Sequence, residues 1–228
     1  FTVENSYFKS TAHYLGSIAG RFNGTEISAV YGKDDVIVEG SSYESGGMIG
    51  RIMKGALTRC WFDGTASLAG NESGGMIDSH YNGSAASLTD CLFTGNLIIN
   101  GNNQSAIIGT LYALQISFQN CVNNGTITNI NGKTCGSSYI MLRGDANVTA
   151  ANVYDNARVM GNGTSMVASH RNSEYKSPDM LNGAMADIHT ELDFSENGAW
   201  VATAEGPQLK AFSELAPVTD FSSAFAYD

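Results

Sequence analysis

What the sequence has little of narrows it first. Only 3 of its 228 residues are proline and only 15% are charged, which excludes a proline-rich linker and a salt-bridge-laced helical array. Basic residues are scarce as well: 12 Lys and Arg stand against 22 Asp and Glu, a net charge of −10. Phosphate backbones are held by clustered Lys and Arg, so no nucleic-acid partner is expected, and anionic membrane surfaces are disfavoured. No apolar run approaches the roughly 20 residues that a bilayer-crossing helix needs, so no direct membrane insertion is expected of this segment. The 4 cysteines show no Cys-x-x-Cys or Cys/His pairing at ligand spacing, so neither a metal nor another cofactor is expected. Phe1-Thr2-Val3-Glu4 has no initiator Met and no basic, apolar leader. It reads as part of a longer or processed protein whose export signal and anchor lie elsewhere.

What is there is glycine, 26 residues of it, with many Asn, Ser and Thr between short β-prone runs. The runs repeat. Five segments align: Ile27–Gly40, Leu57–Gly70, Leu88–Gly101, Phe118–Gly132 and Ala150–Gly163. Their fourth positions are Val30, Cys60, Cys91, Cys121 and Val153, spaced 30, 31, 30 and 32 residues apart. A second element recurs as Gly16-Ser-Ile-Ala-Gly20, Gly46-Gly-Met-Ile-Gly50, Gly74-Gly-Met-Ile-Asp78 and Ser105-Ala-Ile-Ile-Gly109, with weaker copies at Ser137–Ile140 and Thr164–Ala168. Each period thus carries three short runs. Such a period stacks each coil on the last, strand on like strand, at about 4.8 Å per coil. The expected fold is all-β: a right-handed parallel β-helix of about six coils of ~30 residues, three strands per coil.

The Gly-Gly-Met-Ile-Gly elements, each followed by Cys-x-x-x-Gly, resemble the GLUG-type repeats of bacterial cell-surface proteins over about residues 10–170. The resemblance implies a right-handed parallel β-helix and an extracellular or cell-surface location. Arrays of this type often finish with a short helix, a Trp and a Gly-x-Pro-x-Leu-like strand, matched here by Ser177-Pro-Asp-Met-Leu181, Trp200 and Gly206-Pro-Gln-Leu209.

The expected organisation is repeats over 1–176, a C-terminal cap of the same domain over 177–212, and a tail or linker over 213–228. Ser177 as N-cap, Pro178 at the first helical position and an apolar stripe at Leu181, Met185, Ile188 and Leu192 predict a capping helix. Trp200-Val-Ala-Thr and Leu209-Lys-Ala-Phe212 read as closing strands. Phe1 to Tyr14 supplies aromatics to plug the first coil.

Cys60, Cys91 and Cys121 share one repeat position and are expected to be an inward ladder of free thiols. Asp34-Asp35 replaces a turn glycine and is expected to face solvent. Asp78 occupies the Gly50/Gly109 position, with His80 two residues on. Together with Arg51 and Asp90 these are the residues from which a polysaccharide-cleaving site would be built; the plainer reading makes them loop or structural residues. Tyr31, Trp61, Leu92, Val122 and Tyr154 follow the thiol column. Facing outward, Tyr31, Trp61 and Tyr154 would form a ligand strip for sugar rings or protein; facing inward, they are core.

The expected function is a non-catalytic bacterial cell-surface module, adhesin-like towards a host or environmental glycan or protein, or a rigid display spacer. It is expected to be monomeric. The alternatives are a polysaccharide lyase or glycoside hydrolase-like β-helix enzyme, or a carbohydrate-binding module of a larger enzyme.

Overall fold

The computed structural model describes residues 1–11, 13–39, 44–71, 73–81, 84–101, 104–112, 115–129, 147–155, 158–161 and 192–214. They form a parallel β-solenoid of roughly four turns, followed by a separate antiparallel hairpin. β1 (Thr2–Ser10), β2 (Ala19–Val38) and β3 (Ile49–Phe62) are long; β4 (Thr65–Leu68), β5 (Ile77–Tyr81), β6 (Ala86–Thr89), β7 (Leu92–Phe93), β8 (Asn96–Ile99) and β9 (Ile108–Tyr112) are short. β10 (Gln115–Asn123), β11 (Thr126–Asn129), β12 (Asn147–Asp155) and β13 (Arg158–Gly161) complete the stack.

Every pairing within the stack is parallel and joins equivalent runs of successive repeats. Ala19 pairs with Ile49, Ile49 with Ile77, and Ile77 with Ile108. Val30 pairs with Cys60 and Cys121 with Val153, while the Trp61–Leu92 and Val122–Leu92 pairs set Cys91 between its neighbours. Asp35, Thr65, Asn96, Thr126 and Arg158 form the third row. The repeat register expected from the sequence holds through Ala150–Gly161 wherever residues are described. The runs are less separate than their sequence suggests, since β2 passes unbroken through all three.

The interior follows from what each row places inward. Val30, Cys60, Cys91, Cys121 and Val153 are buried, as are Ile49, Ile77 and Ile108 in the Gly-Met-Ile row. Each thiol donates to a carbonyl of the preceding repeat, Cys60 to Ile27, Cys91 to Leu57 and Cys121 to Leu88, at 3.5–3.6 Å. All three are free. The rings of Phe62 and Phe93 stack 5.9 Å apart within the core. Glycine makes room for them: a Cβ on Gly47 would lie 2.6 Å from Phe62, and one on Gly125 2.5 Å from Phe93.

The first coil solves the same packing with other residues. Gly32 stands in line with Phe62, and Asp34 stands where Gly64 does one repeat later. The Asp34 side chain turns inward beside Ser6. Asp34 is therefore buried, only 1% exposed, and not the solvent-facing turn expected; its neighbour Asp35 is exposed. The Ser6 amide donates to Asp34 Oδ1 at 3.1 Å, whereas Oδ2 has no partner. Burial raises the carboxyl pKa, opposed by the Ser6 amide.

Residues 1–14 also differ from expectation. Thr2–Ser10 is a rung in its own right, pairing Thr2 with Tyr31 and Ser10 with Val38, with a bulge between Glu4 and Tyr7. The helix expected over 177–192 lies outside the described residues, apart from Leu192. So do Cys135, the fourth cysteine of the sequence, and the weaker repeat copies at Ser137–Ile140 and Thr164–Ala168.

Candidate functional site

The residue just before each member of the thiol column is left-handed: Ala29, Arg59, Asp90, Asn120 and Asn152 have φ between 51° and 55°. Non-glycine residues adopt this conformation at a cost of about 1–2 kcal/mol, least for Asn and Asp. The kink interrupts in–out alternation, so Thr58 and Arg59 both turn away from the core before Cys60 returns to it. The next residue is then thrown to the opposite side of the strand. Tyr31, Trp61, Leu92, Val122 and Tyr154 accordingly leave the main core and form a second apolar cluster on the flank.

That flank is occupied by the chain's own C-terminal segment. β14 (Trp200–Thr203) and β15 (Gly206–Leu209) make an antiparallel hairpin, with Gly206 at φ +108° closing its turn. Leu192, Trp200, Ala202 and Leu209, with Phe194, Ala199 and Phe212 at the margin, pack on the strip. Phe212 stacks on Tyr31 at 5.8 Å, and Tyr31 in turn meets Trp61 at 4.8 Å. Residues 192–214 therefore lie as a strap along several repeats. The backbone hydrogen bonds found for the strap among the described residues are internal to it; its polar links to the solenoid run through side chains. Trp200 Nε1 donates to Asp90 Oδ1 at 3.0 Å, and Asn124 Nδ2 donates to the Glu205 carbonyl at 3.1 Å.

The proposed ligand strip is thus outward of the main core yet covered. Tyr31 is 9% exposed, Trp61 5% and Tyr154 not at all. Their polar atoms are engaged too. Tyr31 Oη donates to Asp63 Oδ2 at 3.0 Å, Trp61 Nε1 donates to Thr94 Oγ1 at 2.7 Å, and Thr94 Oγ1 donates to Asp63 Oδ1 at 2.5 Å. Lys33 pairs with the same carboxylate at 3.6 Å. Burial, then the nearby Asp63 charge, raises the Tyr31 phenol pKa well above its usual value.

The left-handed residues carry a ladder of their own. Asn152 Nδ2 donates to Asn120 Oδ1 at 3.0 Å, and Asn120 Nδ2 donates to Asp90 Oδ1 at 3.2 Å. Asp90 belongs to this ladder and does not join Asp78.

Asp78 sits in the Gly-Met-Ile row, in line with Gly50 and Gly109, its flanking residues Ile77 and Ser79 pairing on both sides. The Glu44–Gly46 stretch closes over it: a Cβ on Gly46 would meet the Asp78 amide nitrogen at 2.7 Å. The carboxyl is 4% exposed, and Oδ1 has no hydrogen-bond partner. Burial pushes its pKa up to about 8, against the opposing influence of Ser73, Ser79 and the Ser45 amide. Arg51 stands opposite Ser79 and is engaged by Glu44 at 2.7 Å, both side chains being largely buried. His80 pairs through its backbone with Ile52 and Leu111. A carboxyl protonated near neutral pH has the chemistry of a general acid, but this one is closed off from any polymeric substrate. Among the described residues, no cluster of three or more His, Cys, Asp or Glu is placed to hold a metal ion.

Comparison with protein-family models, with curated proteins and with solved structures finds no match to this chain.

Proposed function

We propose that this domain is a non-catalytic module of a bacterial cell-surface protein that acts as a stiff display spacer. In this reading it is a GLUG-type, right-handed solenoid of about six coils, three strands to a coil, with a capping helix over 177–192. The observation that carries the proposal is the strap. One apolar segment anchored by Trp200 binds side chains from Tyr31 to Tyr154, so bending between repeats would have to disrupt it. A parallel stack already resists shear through its main-chain ladder, and a lengthwise clamp adds resistance to bending. Burial of Asp78 speaks against the lyase and hydrolase alternatives, and occupation of Tyr31, Trp61 and Tyr154 by the strap speaks against that strip as a ligand site.

The test is incubation with insoluble polysaccharides and with mucin, measuring retained protein and released sugar. Neither retention nor release is expected of a spacer. Retention alone would replace it with an adhesin or carbohydrate-binding module, and release of sugar would overturn the non-catalytic reading.

A further inference from the structure

Positions 20, 50, 78 and 109 share one row of the stack, and all but Asp78 are glycine. One repeat earlier, a Cβ on Gly50 would press against the carbonyl oxygens of Glu44, Gly20 and Leu15. A Cβ on Gly20 would likewise meet the carbonyl of Tyr14. In those repeats the row faces main-chain oxygen, and at position 78 it sends out a carboxyl instead. Ser73, Ser79 and the Ser45 amide lie close enough to Asp78 to oppose the effect of burial on its pKa. Ser45, Ser73, Asp78 and Ser79 are each no more than 4% exposed, so the group is closed off from solvent. Yet Asp78 Oδ1 and Ser79 Oγ both lack a hydrogen-bond partner. Two neighbouring oxygens left unpaired in a closed site are unfavourable unless something joins them.

Charge selects what joins them. A buried carboxylate needs either a proton or a positive partner. Arg51 is not that partner, because Glu44 engages it at 2.7 Å, and Glu44 acts on Asp78 as a further negative group. Carboxyl and hydroxyl oxygens suit a hard cation. With Arg51 and Glu44 cancelling one another, a single carboxylate balances one positive charge; a divalent ion would leave a charge uncompensated in a closed site. We propose that Asp78 holds one alkali-metal cation, sodium or potassium, with the Ser73 and Ser79 hydroxyls and main-chain carbonyls of the Glu44–Gly46 stretch completing its shell. The ion ties the Glu44–Gly46 stretch of one repeat to the Gly-Met-Ile row of the next. Without it, a proton neutralises the group. This site is independent of the spacer reading.

The experiment is urea unfolding of the full 228-residue chain at pH 9, where a proton competes little for a carboxyl of pKa about 8. Ionic strength is held constant while sodium or potassium chloride replaces tetramethylammonium chloride, whose cation is too large for the site. The urea midpoint should rise with sodium or potassium. Once the site fills, the folding equilibrium constant should grow about tenfold per tenfold of cation, the slope of a single site. Asp78→Asn keeps the shape without the charge and should lose this dependence, as should Asp78→Gly, which restores the residue of the row. Asp35→Asn removes an exposed charge instead and should retain it. Equal midpoints in all three salts would overturn the proposal. So would a cation dependence that persists in Asp78→Asn and Asp78→Gly, or a larger response to calcium chloride at the same ionic strength.

Discussion

Trp200 and Asp90 are joined by one hydrogen bond of 3.0 Å across 110 residues of sequence. The same Asp90 oxygen also accepts from Asn120, so the strap is fastened to the ladder of left-handed residues rather than to a strand edge. Trp200→Phe keeps most of the apolar contact and removes the donor, leaving Asp90 with one partner fewer. It should cost about 1–2 kcal/mol in urea unfolding. Trp200→Ala should cost about 3–5 kcal/mol. Equal losses for the two substitutions would show that packing contributes little and that the hydrogen bond alone holds the strap.

Asp78 makes a prediction about pH. Its folded pKa of about 8 lies above the unfolded value of 3.8, so the folded state holds the proton more tightly. Stability carried by the protonated form is complete below about pH 4 and is lost as pH rises towards 8. Asp78→Asn and Asp78→Gly, the second restoring the residue found at positions 50 and 109, remove the ionisable group. The stability of either variant minus that of the parent should grow between pH 4 and 8 and level off above, by at most about 6 kcal/mol. A difference that does not vary with pH would mean that the carboxyl is hydrated in solution.

The thiol ladder should be silent until the solenoid opens. Cys60, Cys91 and Cys121 have no solvent exposure, and burial beside two other thiols holds the Cys91 pKa well above its usual value. Thiolate is the reactive form, so both access and ionisation oppose labelling. In a Cys135→Ser background, an aromatic disulfide reagent should find no fast thiol in the native protein and three after denaturation. Fast labelling of any ladder cysteine in that background would mean that the stack opens locally around it.

Much of the fold was legible in the sequence because inward positions of a solenoid are chemically narrow. Val30, Cys60, Cys91, Cys121 and Val153 recur on register since only small or aliphatic side chains fit that column. The direction of the next residue was not legible. It depends on a left-handed residue that is Asn or Asp at 90, 120 and 152 but Ala29 and Arg59 in the first two repeats, where residue type carries no signal. The fate of Trp61 depends in addition on a hairpin more than a hundred residues away, which local pattern does not report. Asp34 was misplaced for a related reason. Its carboxyl is covered by the preceding rung, where the Ser6 amide donates to it, a contact between residues 28 apart that is apparent only once the rungs are stacked.

Tyr31 gives the last test, at the point where the strap ends on the first repeats. Its hydroxyl donates to Asp63, which also accepts from Thr94 and pairs with Lys33, while Phe212 stacks on its ring. Ionising the phenol would place a second negative charge against Asp63 in a covered site. In an ultraviolet titration, Tyr31 of the parent should therefore stay protonated beyond the alkaline range in which exposed tyrosines ionise. Tyr31→Phe should lower the number of late-ionising tyrosines by one and leave the earlier ones unchanged. The same substitution leaves Asp63 with Thr94 and Lys33, so its cost near neutral pH should be about 1 kcal/mol. Because the folded pKa is raised, Tyr31 loses stabilising influence only as pH climbs through and beyond the ordinary tyrosine value of 10.0. The parent and Tyr31→Phe should therefore differ by a constant amount at neutral pH and converge in strongly alkaline solution. An unchanged number of late-ionising tyrosines in Tyr31→Phe would mean that Tyr31 is not among them.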